Sequence, residues 1–161
     1  MKTHLTLIFL LLVSIKSFAQ PDLRYIKVPA GYLMVLRQGD DVFQEIEKMA
    51  IRENIPSANF SGMGFVNVTF GFFDQKTKEY KPKEFKNVEL ASMLGTIAWE
   101  NGKPSLHAHG SAAGKSFKAV AGHMLEASVS TGSLEILVTV HDQKLERKKE
   151  ESIGAKVLQL D

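Results

Sequence analysis

The stretch from Phe60 to Phe73 repeats with a period of two. Val66, Val68, Phe70 and Phe72 fall on one side of an extended chain, and Phe65, Asn67, Thr69 and Phe73 on the other. A helix would scatter these residues around its axis, so the segment reads as a long strand. A strand needs neighbours for its backbone amides and carbonyls. Aromatic side chains on both sides call for a sheet packed on both faces, or for one face closed by another subunit. This feature commits the chain to a sheet-based fold.

Other segments supply the neighbours. Tyr25 to Arg37 is strand-rich, interrupted at Pro29-Ala30-Gly31, and Tyr32-Leu33-Met34-Val35-Leu36 has a buried-strand pattern. Val88 to Trp99, Leu106 to His109, Phe117 to Met124 and Leu134 to His141 read as further strands. Glu100-Asn101-Gly102-Lys103 is a hairpin turn, because Asn and Gly tolerate positive φ at both central positions. Residues 74–86 read as a polar, Lys-rich hairpin or loop. One helix is expected from Asp41 to Asn54, where Val42, Phe43, Ile46, Met49 and Ala50 share a face. Asp40 or Asp41 caps it, and Asn54 and Pro56 stop it. The expected class is α+β: one domain dominated by an antiparallel sheet.

The N-terminus has a different character. Met1-Lys2 is a short basic start, Leu5 to Ile15 is nearly all apolar, and Ser17-Phe18-Ala19 places small residues before Gln20. That layout is a secretory signal peptide over residues 1–19, with an apolar run too short to span a bilayer. The expected mature protein, residues 20–161, is exported to the periplasm or secreted and carries no membrane span after cleavage. Its domain core is read at 25–141, with a C-terminal extension at 142–161. The leader holds Lys2 and Lys16 and no acid. The full chain has 20 basic and 18 acidic side chains, so the mature chain keeps 18 of each and is neutral. The formal +2 is therefore no sign of a nucleic-acid partner. The chain has no cysteine, so stability must come from packing, a metal or subunit association.

Histidines carry the chemistry. His4 belongs to the leader and His141 stands alone, leaving His107, His109 and His123. In a strand, His107 and His109 point to the same face about 7 Å apart. Gly110 to Lys115 is turn-like. A hairpin centred on Lys115 puts His107 directly opposite His123, with His109 on the diagonal. Three neutral imidazoles with an open position suit a divalent metal, zinc first, with iron, nickel or copper chemically allowed. Water, a carboxylate or a neighbouring subunit completes the shell. Glu126 faces the other side of a regular strand and needs a bulge or another chain to join; Glu126 or Glu89 is the candidate proton carrier if the site is catalytic. The alternative is that these histidines only satisfy hydrogen bonds on a polar sheet face. Gly110 to Ser116 imitates a phosphate loop, but His109 stands where its first Gly belongs and a β-like segment follows. A cupin-type metal motif also fails, since no Glu follows His109 at the needed spacing. No Gly-x-Ser-x-Gly elbow exists for a serine nucleophile.

The order of motifs carries a resemblance. Leu36-Arg37-Gln38-Gly39-Asp40 precedes the helix. Phe60-Ser61-Gly62-Met63-Gly64, Val88 to Ala98, Gly102 to His109, Ala121 to Ala127 and Leu134 to Val138 follow in turn. This series resembles the plant and prokaryote conserved (PPC) domain over residues 25–141. The resemblance implies an antiparallel sheet flanked by one or two helices and a homotrimer. Plant members carry AT-hook segments that bind the DNA minor groove, so the family is often called DNA-binding. No Arg-Gly-Arg-Pro hook occurs here, and the mature chain is neutral; nucleic acid is a disfavoured partner. The prokaryotic members share the His-x-His and Gly-His elements, here His107, His109 and His123. The expected function is an exported ligand-binding module or metal-dependent enzyme. The alternative is a DNA-binding or protein-interaction module.

Overall fold

The computed structural model describes residues 23–160; the leader read over 1–19 lies outside them. The described chain is mostly strand, with one helix. In chain order it forms β1 (Tyr25–Val28), β2 (Gly31–Arg37), α1 (Val42–Arg52), β3 (Ser57–Asp74) and β4 (Glu79–Glu100). Then follow β5 (Lys103–Ala113), β6 (Ala119–His141), β7 (Arg147–Glu150) and β8 (Ala155–Leu158). Among the described residues no helix is long and apolar enough to cross a membrane.

β1 to β6 form one antiparallel sheet in the order β1-β2-β6-β3-β4-β5. β6 is long enough to pair with β2 and β3, and its first residues also pair with β5. The ladder β3-β4-β5-β6 thus closes on itself at one end. Helix α1 begins where Asp41 accepts a hydrogen bond from the Gln44 amide, 2.9 Å. Its buried residues Val42, Ile46, Met49 and Ala50 meet Met34, Leu36, Phe60, Met93, Ala108, Leu134 and Ile136 in a single core. The core lies on one face of the sheet, and burying those side chains is the main stabilising term.

Of the two readings of residues 74–86, hairpin or loop, the hairpin forms: β3 and β4 continue as a two-stranded arm joined by a turn at 75–78. Its alternating Lys and Glu side chains gave no apolar face to read. Phe72 does not share the burial of Val66, Val68 and Phe70 and is 77% exposed. β6 stops pairing with β3 at Gly71, so beyond it no third strand covers the arm. The Asn101-Gly102 hairpin forms as expected, with φ of 51° and 77°. The C-terminal extension folds into a hairpin, β7–β8. It is tied to the end of β4 by hydrogen bonds from the Trp99 amide to the Leu145 carbonyl, 2.9 Å, and from Lys156 to Glu100, 2.7 Å.

Candidate metal centre

β5 shows how the local pattern builds the site. Ala108 and Ala112 are buried against the core, so His107 and His109 stand on the outer face. β5 is the strand that pairs with both β4 and β6. His109 lies opposite Leu94 on one side and His123 on the other, and His107 lies opposite Thr96. The sheet closure therefore brings all three imidazoles to one spot. Ring centroids are 5.1 to 5.2 Å apart for every pair. One ligand nitrogen from each lies within 4.8 Å of the others. Tetrahedral zinc at its usual bond length spaces nitrogens about 3.3 Å apart; small side-chain rotations cover that difference.

The register differs from the sequence reading by two residues. His109, and not His107, faces His123 directly. The turn is centred beyond Lys115: Phe117 adopts a φ of 58° and its amide bonds to the Gly114 carbonyl, 2.9 Å. A shift of two keeps side chains on the same face, so the cluster survives it.

The local electrostatics suit a cation held by neutral ligands. Burial, with the neighbouring His107 and His109, lowers the His123 pKa to about 4. Burial, then Arg147 and His109, lowers that of His107. Both rings are uncharged at neutral pH and free to donate lone pairs. Nδ1 of His123 is buried with no hydrogen-bond partner. An orphaned ring nitrogen in a cluster of three imidazoles fits a metal ion better than a self-contained polar face.

The two carboxylates read from sequence lie elsewhere. A register shift between Thr69 and Phe70 acts as the bulge that Glu126 required, and Glu126 reaches the exposed side beside Thr69, 3.5 Å away. It is nonetheless not among the groups that converge on the ion position. Glu89 pairs with Ala113, four residues along β5 from His109, or about 13 Å. Neither lies at the centre within one chain.

Two neighbours were not legible in the sequence. Tyr80, on the arm, stacks on His123 at 4.5 Å with 18° between the rings, and packs edge-on against Phe73 at 5.2 Å. Gly71 makes this possible: a Cβ there would lie 2.8 Å from the Tyr80 ring. Arg147, on the C-terminal hairpin, is 6% exposed and donates a hydrogen bond to Thr96, the residue opposite His107. An isolated Tyr in a Lys-rich stretch and an Arg in a charged tail carry no local signal of their role.

Comparisons with known proteins place the chain. A sequence model of the Plants and Prokaryotes Conserved (PCC) domain matches residues 24–142. The chain is similar to a candidate DNA-binding protein from Ralstonia eutropha JMP134, at 51% identity and a TM-score of 0.83, covering 86% of this chain and 96% of that one. It is similar to a plant- and prokaryote-conserved protein from Pyrococcus horikoshii, at 30% identity and a TM-score of 0.73, covering 80% and 90%. It also resembles a metal-containing protein from Archaeoglobus fulgidus, at 29% identity and a TM-score of 0.72, covering 79% and 91%. The comparison with curated proteins gives no match. With a family match spanning nearly all of the large sheet, the chain belongs to the plant and prokaryote conserved domain family.

Proposed function

We propose that this protein is an exported, homotrimeric domain that holds a divalent metal, zinc first, on His107, His109 and His123. It binds a small molecule there or acts on it as a metal-dependent enzyme. The observation that carries this reading is the convergence of three imidazole nitrogens within 4.8 Å. The similar Archaeoglobus fulgidus protein is described as metal-containing. A divalent ion held by these three histidines would supply Lewis-acid chemistry. The chain's own residues set it up: β5 orients His107 and His109, and Tyr80 fixes the His123 ring by stacking.

Trimer formation is supported by the outer sheet face. Leu33, Met63, Leu94 and Leu137 are exposed and line one shallow groove, the leucines joined through the pairs Leu33–Leu137, Ser61–Leu137 and Ser61–Leu94. Such a strip on a soluble protein calls for a partner. Leu94 is the cross-strand partner of His109, so the metal centre borders this strip and a second copy can close it. Export rests on the leader pattern at 1–19.

The DNA-binding description of the Ralstonia relative supports a second reading. Against it, lysines of the arm and of the C-terminal hairpin alternate with acids, as in Lys81–Asp74, Lys86–Glu84 and Lys149–Glu151. Phosphate binding needs unpaired, clustered cations. Metal analysis of native protein beside a His107→Ala, His109→Ala variant decides between them. About one ion per chain in the wild type and none in the variant is expected. Equal content in both, or none in either, contradicts the metal centre. A salt-sensitive shift on duplex DNA at physiological ionic strength favours the second reading.

A further inference from the structure

Arg147 lies outside the family segment, which ends at 142, yet the C-terminal hairpin delivers it to the metal centre. Its guanidinium is buried, and among the described residues no carboxylate pairs with it. One nitrogen donates to Thr96, directly across the ladder from His107, while Nε is buried with no acceptor. An unpaired buried cation is costly, and an arginine in that state is a conspicuous feature of any fold. Hydrogen-bonding capacity left open next to a cluster of ligands calls for an anion.

The charge balance makes the same demand. Three uncharged imidazoles leave a divalent ion with its full +2, and Arg147 adds another positive charge beside it. The acids read as proton carriers, Glu89 and Glu126, are not at the centre. The protein anion that acts on Arg147 is Glu100, which is already paired with Lys156, so the charge of the centre is left for a ligand to offset.

We propose that Arg147 is the anion-recognition residue of the three-histidine centre and that its ligand is a small carboxylate, one oxygen directed to the metal and the group paired with the guanidinium. A planar carboxylate matches the fork of a single arginine. A phosphate dianion commonly draws several cations or a nest of backbone amides, and among the described residues the cation at this centre is Arg147, with no lysine in hydrogen-bond contact. The assignment rests on the metal reading above and adds the class of ligand to it.

The test loads full-length protein with Co2+ as a visible reporter and titrates malonate, with inorganic phosphate in parallel. Wild type, Arg147→Met and Arg147→Lys are compared, and the trimer is checked by sedimentation. All three proteins are expected to bind Co2+ alike. Malonate should perturb the wild-type spectrum and bind about ten- to a hundredfold more weakly to Arg147→Met. Arg147→Lys, which keeps the charge without the fork, should fall between them, and it carries the comparison if the methionine variant does not fold. Equal malonate affinity in wild type and variants, with normal Co2+ spectra, overturns the role of Arg147 alone. So does loss of the trimer in a variant whose malonate affinity is unchanged, or phosphate binding tighter than malonate. Absence of any Co2+ spectrum in the wild type overturns the metal reading and this inference with it.

Discussion

Ile136 and Leu137 are neighbours in the chain and stand on opposite faces of β6. Ile136 is fully buried among Met34, Phe60, Met93 and Leu134, while Leu137 is 40% exposed beside Leu33. The same contrast runs along β5, with Ala108 and Ala112 inward and His107 and His109 outward. The inner face answers to packing, so its buried side chains are apolar apart from the Tyr32 hydroxyl, which donates to Glu53, and α1 packs on it. The outer face mixes leucines, serines and imidazoles, the composition on which the proposed trimer and metal centre rest. Core packing is therefore concentrated on one side of the sheet and the candidate metal ligands on the other.

The largest effect that separates the two faces is expected in folding stability. Ile136→Ala should cost about 2–5 kcal/mol by denaturant unfolding, because the close-packed core cannot refill the cavity. Leu137→Ala should shift protomer stability by only about 0.5 kcal/mol. If the proposed trimer forms through this face, Leu137→Glu should leave monomers where the wild type sediments as a trimer. Equal stability losses for the two alanine variants would erase the distinction between faces.

A smaller effect is expected at the edge of the metal centre. Tyr80→Ala removes the ring stacked on His123 and should weaken metal binding about ten- to a hundredfold without unfolding the core. Competition with a chelator reads this directly, and unchanged affinity would make the stacking incidental.

A further effect concerns protons. His123 faces His107, His109 and Tyr80, and its pKa is lowered from 6.5 to about 4. A proton then binds the unfolded chain before the folded one. The stability contributed by this group in metal-free protein is complete above about pH 6.5 and is lost as the pH falls towards 4. An NMR titration of metal-free protein should place the His123 midpoint near 4, and a midpoint near 6.5 would contradict the burial of the ring.

Much of this arrangement was legible because alternation and turn chemistry are local. The period of two along β3, the helix cap at Asp41 and the Asn101-Gly102 turn each follow from a few adjacent residues. The shared face of His107 and His109 needed only the geometry of a strand. The pairing partner of His123 was displaced by two, because the turn after Gly114 uses Phe117 in a left-handed conformation that no residue type announces. The length of the β3–β4 arm was hidden by its polar composition. Tyr80 and Arg147 reach the centre through contacts spanning 43 and 51 positions, to His123 and Thr96, and no local pattern encodes such a meeting.

X-ray absorption on metal-loaded wild-type protein tests the three-histidine centre most directly. The result expected is a shell containing three imidazole nitrogens at about 2.0–2.1 Å for zinc. A shell with fewer than three imidazoles, or one that is unchanged by His123→Ala, would contradict it.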